Sequence, residues 1–102
     1  MDRIIAVDID GTLWHPRLGL NTALVATLKA AKEQGYQLII WSARGTEYTR
    51  KFNAEHFADG FFDVVVGKPQ FVADDRGWDW IRHTKPLKLA KIEHPTPYKE
   101  SP

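Results

Sequence analysis

Short runs of β-branched apolar residues alternate along this chain with longer stretches in which apolar positions recur every three or four residues, and that alternation sets the expected fold. Residues 3–7 form an apolar run closed by acidic residues and Gly11, the pattern of a strand buried on both faces, and Asp8 falls at its C-terminal end. Asn21 is a good N-cap for a helix over residues 22–34, with Leu24, Leu28 and Ala31 on one face and Gly35 as the stop. Residues 37–41 are a second apolar run that leaves through Ser42, Ala43, Arg44 and Gly45, a turn-rich exit from a strand. A second helix from Thr46 or Glu47 to Phe57 places Tyr48 and Phe52 on one side and stops near Gly60.

Strand, helix, strand, helix in that order predicts an α/β fold with a parallel sheet, in which ligands bind beyond the carboxyl ends of the strands. Two more extended runs follow, residues 61–66 and 70–73, separated by Gly67, Lys68 and Pro69 alone. Adjacent parallel strands need a crossover of about a dozen residues or more, so these two runs are not both ordinary parallel neighbours. Residues 70–73 are therefore read as the central strand, ending in Asp74 and Asp75. Residues 61–66 become an edge strand, a differently oriented strand or an extended crossing segment.

The chain has 102 residues, 43% hydrophobic and 26% charged, which is room for one compact domain of modest stability, and a second copy would be a natural supplement to its core. Residues 1–92 are taken as that domain, and residues 93–102, which hold three prolines, as a proline-rich flexible tail. Fourteen basic residues against thirteen acidic ones give a net charge of +1, so charge does not indicate nucleic acid as a partner. The absence of cysteine excludes disulfides, thiolate zinc sites and a cysteine nucleophile. No run approaches the roughly 18 apolar residues of a membrane span, and the opening MDRIIAVDIDG has no signal-peptide h-region, so a cytoplasmic location without membrane attachment is the expectation.

Three of the expected strands end in groups that phosphoryl transfer requires: Asp8 with Asp10, then Ser42, then Asp74 with Asp75, while Lys68 precedes the last. A parallel sheet brings such ends to one edge. Several carboxylates gathered there would repel one another unless a cation bound, and all-oxygen ligation without His or Cys suits magnesium better than zinc.

IIAVDIDGTLW, residues 4–14, resembles the first motif of the haloacid dehalogenase superfamily, an apolar strand running into Asp-x-Asp-Gly-Thr. LIIWSARG resembles the second motif through Ser42, Lys68 stands as the third, and QFVADDRG resembles the paired-acid fourth, so the similarity spans residues 4–79. The resemblance implies a compact three-layer, Rossmann-like parallel sheet, capless and truncated after the fourth motif. It makes Asp8 the nucleophile that forms an aspartyl-phosphate and Asp10 the general acid and base. It implies Mg2+ held by Asp8, the backbone carbonyl of Asp10 and an acid of the fourth motif. Asp75 is the preferred ligand there, with Asp74 and Asp79 close behind it. Ser42 would hydrogen-bond a phosphate oxygen and Lys68 would neutralise Asp8 and the phosphoryl group, with Gly11, Thr12, Ala43 and Arg44 completing the phosphate surroundings.

The chain departs from the family pattern in one spacing: Lys68 lies six residues before Asp74, where most relatives insert a helix. A shorter Lys-Pro arrangement resembles compact phosphatases of the capsule-biosynthesis and phage type. Neither inter-motif gap has room for a cap domain, which favours a large or exposed phosphorylated substrate, or a neighbouring subunit as lid; the expected partner is a small phosphorylated substrate or an exposed phosphate on a larger molecule. Competing readings are a nucleotide or nucleic-acid end phosphatase, with aromatic side chains for stacking, and a fold that binds phosphate with weak or no turnover. A phospho-accepting receiver module uses similar groups but keeps its acceptor aspartate on a later strand than its acidic pair. Plainer roles stand beside these: the acidic-glycine segments as turns, Ser42 as a turn hydroxyl, Lys68 as a solvated lysine, Arg44 and Arg76 as partners of local acids, and Trp14, Trp41, Trp78 and Trp80 as packing. His15, His56, His83 and His94 show no metal-ligand spacing.

Overall fold

The computed structural model describes residues 3–77 and 84–87. The expected tail and Trp78, Asp79, Trp80, His83 and His94 lie outside the described residues. The elements in chain order are β1 (Ile4–Asp8), β2 (Trp14–His15), β3 (Gly19–Leu20), α1 (Thr22–Glu33), β4 (Gln37–Ser42), α2 (Thr46–His56) and β5 (Val64–Gly67).

β1, β4 and β5 form a parallel sheet in chain order. β1 pairs with β4 from Ile4↔Gln37 to Asp8↔Trp41, and β4 pairs with β5 from Ile39↔Val64 to Ser42↔Gly67. When strand order follows chain order, right-handed crossovers put successive helices on the same face. The core agrees, because Val7, Leu38 and Ile40 from one sheet face meet Leu24 and Leu28 of α1 and Phe52 of α2 in a single cluster, closed by Ile9, Leu13 and Phe62. Each such side chain contributes about 1.5–3 kcal/mol when fully buried. Of the three layers expected, the described residues supply the sheet and one helical layer. No described helix is long and apolar enough to cross a membrane.

The start of α1 is where sequence and structure agree in most detail. The Asn21 side chain accepts a hydrogen bond from the Leu24 N–H at 3.1 Å, the expected cap. Its amide nitrogen donates to the Thr12 carbonyl at 3.2 Å, and its backbone N–H donates to the Leu13 carbonyl at 2.8 Å. One buried residue therefore caps the helix and ties it to the loop that follows β1. Within that loop the Ile9 carbonyl accepts from the N–H groups of Thr12, Leu13 and Trp14, winding the chain into a tight turn. Residues 14–20 close as the small antiparallel hairpin β2–β3, with Trp14 opposite Leu20 and His15 opposite Gly19.

Two differences concern the second half of the chain. The run expected over residues 61–66 pairs as a strand only from Val64 to Gly67. Phe61 stacks on Phe57 and Phe62 meets Phe57 edge-on, so consecutive rings turn into one aromatic cluster instead of alternating across a sheet. Asp63 then opens the pairing: its N–H donates to the Leu38 carbonyl and its carboxylate accepts from the Leu38 N–H, each at 2.8 Å. Of the three options left open for this segment, it is a parallel edge strand.

The expectation of a central strand over residues 70–73 is incorrect. These residues pair with nothing as a strand and are all exposed, Phe71 to 88%. The reason is reach. Passing from β5 to the free side of β1 crosses three strand spacings, roughly 14 Å in all, and the chain must also return along the strand axis. The two residues between β5 and this run, Lys68 and Pro69, extend to about 7 Å at most.

Asn21→Ala keeps the backbone bond but removes both side-chain bonds, so it is expected to lower unfolding stability by about 1–2 kcal/mol. A urea titration checks this, and an unchanged midpoint would mean that the cap and the Thr12 tie contribute nothing.

Candidate active site

Parallel pairing places the carboxyl ends of β1, β4 and β5 at one edge, and the sequence puts Asp8, Ser42 and Gly67–Lys68 there. β1 and β5 flank β4, two strand spacings or roughly 10 Å apart, a gap that a short side chain does not cross. Lys68 has the four-carbon stem to cross it. Its Nζ lies 3.3 Å from Asp8 Oδ1. The two side chains are 38% and 34% exposed. An ion pair this accessible is screened and contributes only about 0–1 kcal/mol to stability, so its importance is the charge it places beside the carboxylate.

Lys68 is aimed by its backbone. Its N–H donates to the Ser42 carbonyl at 2.9 Å, and the preceding Gly67 N–H donates to Thr46 Oγ1 at 2.9 Å. A Cβ on Gly67 would lie 2.9 Å from the Thr46 nitrogen and 3.0 Å from Gly45 Cα. The end of β5 is thus pressed onto the entrance of α2, an approach that only glycine permits.

Ser42 is buried, and its Oγ accepts from the Arg44 N–H at 3.0 Å, which makes it a turn hydroxyl that keeps its own hydrogen to donate. The Ser42 carbonyl also accepts from the Gly45 N–H at 3.1 Å, so this one residue holds the second and third motif segments together. Gly11 is exposed in the left-handed region at φ 85°, where glycine carries no steric penalty, and its N–H donates to the Trp14 carbonyl. The Thr12 N–H is likewise engaged, with the Ile9 carbonyl, so both amides serve the loop itself. Ala43 and Arg44 form the exposed turn between β4 and α2.

Asp10 faces that turn. Tyr48, in the first turn of α2, donates its hydroxyl to Asp10 Oδ1 at 3.0 Å. Arg44 Nη1 lies 3.9 Å from Asp10 Oδ2, and the guanidinium sits 4.1 Å above the Tyr48 ring. Partial burial, and next the hydrogen bond to Asp10, push the Tyr48 hydroxyl above its ordinary pKa, so it remains an O–H donor throughout the neutral range. Sequence reasoning assigned Tyr48 only to a helix face. Its four-residue offset from Arg44 was visible, but the partner 38 residues away was not. Gly67 carried a readable signal, a glycine ending a β-branched run.

Asp74 and Asp75 are both exposed, and Asp74 Oδ1 accepts from the Arg76 N–H at 2.9 Å, a local turn. Among the described residues no three acids or histidines stand close enough together to hold a metal ion, so the structure does not assemble Asp74 or Asp75 with Asp8 and Asp10. Without a strand over residues 70–73, no element carries these acids to the edge where β1 ends. The donors that are present are hard oxygens at the end of β1, and magnesium is commonly held by one or two carboxylates with water completing its shell. Asp8 with the Asp10 carbonyl fits that chemistry.

A family model described as haloacid dehalogenase-like hydrolase matches residues 5–67, more than half of the chain. The matched span contains Asp8, Asp10 and Ser42 and stops one residue short of Lys68. The pyridoxal phosphate phosphatase YbhA of Escherichia coli (strain K12) is 48% identical over 42 residues, 41% of this chain and 15% of that protein. The chain thus spans a small part of that relative's length. No solved structure matches it.

Gly67→Ala forces a Cβ into the backbone at the α2 entrance and is expected to lower stability by about 1–3 kcal/mol, the usual cost of overpacking. Denaturant unfolding measures it, and wild-type stability in the variant would show that β5 and α2 are not in close contact there.

Proposed function

The chain belongs to the haloacid dehalogenase-like hydrolase family, and we propose that it is a magnesium-dependent phosphatase that hydrolyses a phosphomonoester through an aspartyl-phosphate on Asp8. The observation that carries this reading is the approach of Lys68 Nζ to Asp8 Oδ1, 3.3 Å, at the shared edge of three parallel strands. A carboxylate is a weak nucleophile toward a phosphate dianion because like charges repel. An ammonium placed beside it screens the approach and stabilises charge on the transferring group. Ser42, at the end of β4, has a hydroxyl hydrogen to donate to a phosphate oxygen. Asp10, two residues beyond the nucleophile, is the group that would give a proton to the leaving oxygen and take one from water. Magnesium, when held by Asp8 and the Asp10 carbonyl, supplies positive charge against the phosphate oxygens.

Residues 9–36 hold only the small hairpin and α1, which supports an open site suited to an exposed phosphate. Its likeness to a pyridoxal phosphate phosphatase puts pyridoxal phosphate among the substrates to be assayed beside nucleotides and sugar phosphates. One observation favours a second reading, a phosphate-binding fold without efficient turnover: among the described residues, Asp74 and Asp75 form no metal-holding group with Asp8 and Asp10.

Wild-type protein is expected to hydrolyse 4-nitrophenyl phosphate with magnesium, to stop on addition of a chelator, and to lose the activity in Asp8→Asn. Lys68→Ala is expected to lower kcat about a hundredfold or more, the scale of losing one stabilising donor. Steady-state assays measure both, and equal rates in Asp8→Asn would remove the nucleophile assignment, while phosphate binding without hydrolysis would favour the second reading.

A further inference from the structure

Asp10 lies on an exposed loop where an aspartate would ordinarily sample several rotamers. Here both of its carboxylate oxygens face side chains from the entrance of α2, Tyr48 at 3.0 Å from Oδ1 and Arg44 at 3.9 Å from Oδ2. The two contacts differ in kind. The first is a hydrogen bond of good length, and the second is a loose ion pair to a 64% exposed arginine whose guanidinium rests on the Tyr48 ring. The hydroxyl fixes one oxygen, and the other stays accessible beside an exposed cation.

We propose that Tyr48 is a positioning residue for the phosphatase reaction: its hydroxyl holds Asp10 Oδ1 so that Oδ2 is the oxygen presented to the leaving group. The inference rests on the reading of Asp10 as general acid and base. In the first half-reaction an Asp8 oxygen bonds to phosphorus, the bond from phosphorus to the leaving oxygen breaks, and the proton on Asp10 Oδ2 passes to that oxygen. In the second, a water oxygen bonds to phosphorus, the bond from Asp8 to phosphorus breaks to restore the carboxylate, and a water proton returns to Asp10 Oδ2. Both transfers require one oxygen to keep its direction through the cycle, which a bond from Tyr48 to the other oxygen provides.

The position of Tyr48 explains why the first turn of α2 carries a tyrosine with its ring packed against the core cluster. The packed ring makes the hydroxyl a rigid donor, and the ring in turn seats Arg44. A purely structural tie between loop and helix would affect all substrates alike. A positioning role would not, because a poor leaving group depends on protonation and a good one hardly does.

The test compares kcat/KM, which reports leaving-group departure, for phenyl phosphate and 4-nitrophenyl phosphate in wild type and Tyr48→Phe. The variant keeps the ring beneath Arg44 and loses only the hydroxyl. A loss of about tenfold is expected on phenyl phosphate, with a clearly smaller one on 4-nitrophenyl phosphate. In an Asp10→Ala background, adding Tyr48→Phe is expected to leave the ratio between the substrates unchanged. Equal losses on both substrates, or a further change of ratio without Asp10, would overturn the role of Tyr48 while leaving Asp8 as nucleophile. Absence of hydrolysis by wild type would overturn the phosphatase reading and this inference with it.

Discussion

The parallel register that sets Asp8 opposite Trp41 and Ser42 opposite Gly67 is the constraint on which the site depends. It places three chain segments, separated by about thirty residues each in the usual way of βαβ units, at one edge of the sheet. A one-residue slip of β5 would turn every side chain to the opposite face and withdraw Lys68 from Asp8. Two backbone features fix the register at that end: the Lys68 N–H on the Ser42 carbonyl and the seat of Gly67 against Gly45 and Thr46.

The energetics divide cleanly between fold and site. Stability comes from one face of the sheet, where nine buried apolar residues among those described form a single cluster, and from a few buried polar ties such as Asn21. The charged contacts contribute little to it, since Asp8–Lys68 and Asp10–Arg44 are both partly exposed. Their cost to folding is correspondingly small, so the charges are free to serve chemistry. Asn21 links the two domains of effect, because the same side chain that caps α1 holds the carbonyl of Thr12 in the loop carrying Asp10 and Gly11.

Local signals account for what the sequence disclosed. The Asn21 cap, the spacing of Leu24 and Leu28, and the two apolar runs ending in Asp8 and Ser42 each depend on neighbours within a turn or a strand, and the structure has each of them. Lys68 was identified by motif order, and the sheet brings it to Asp8. The error over residues 70–73 came from weighing apolar content above reach: the run has strand composition, yet the short link after β5 leaves no route to the centre of the sheet. The Tyr48–Asp10 bond was invisible because no periodicity connects residues 38 apart, and the closeness of Gly67 to Thr46 was suggested only by a glycine where a β-branched residue would continue the strand.

The claim that Asp8 attacks phosphorus with Lys68 beside it is tested most directly by trapping. Rapid acid quench during turnover of an aryl phosphate, followed by proteolysis and mass analysis, should find a phosphoryl group on the peptide containing Asp8, and hydroxylamine should remove it. A phosphoryl group on another peptide, or none at all while hydrolysis proceeds, would contradict the account.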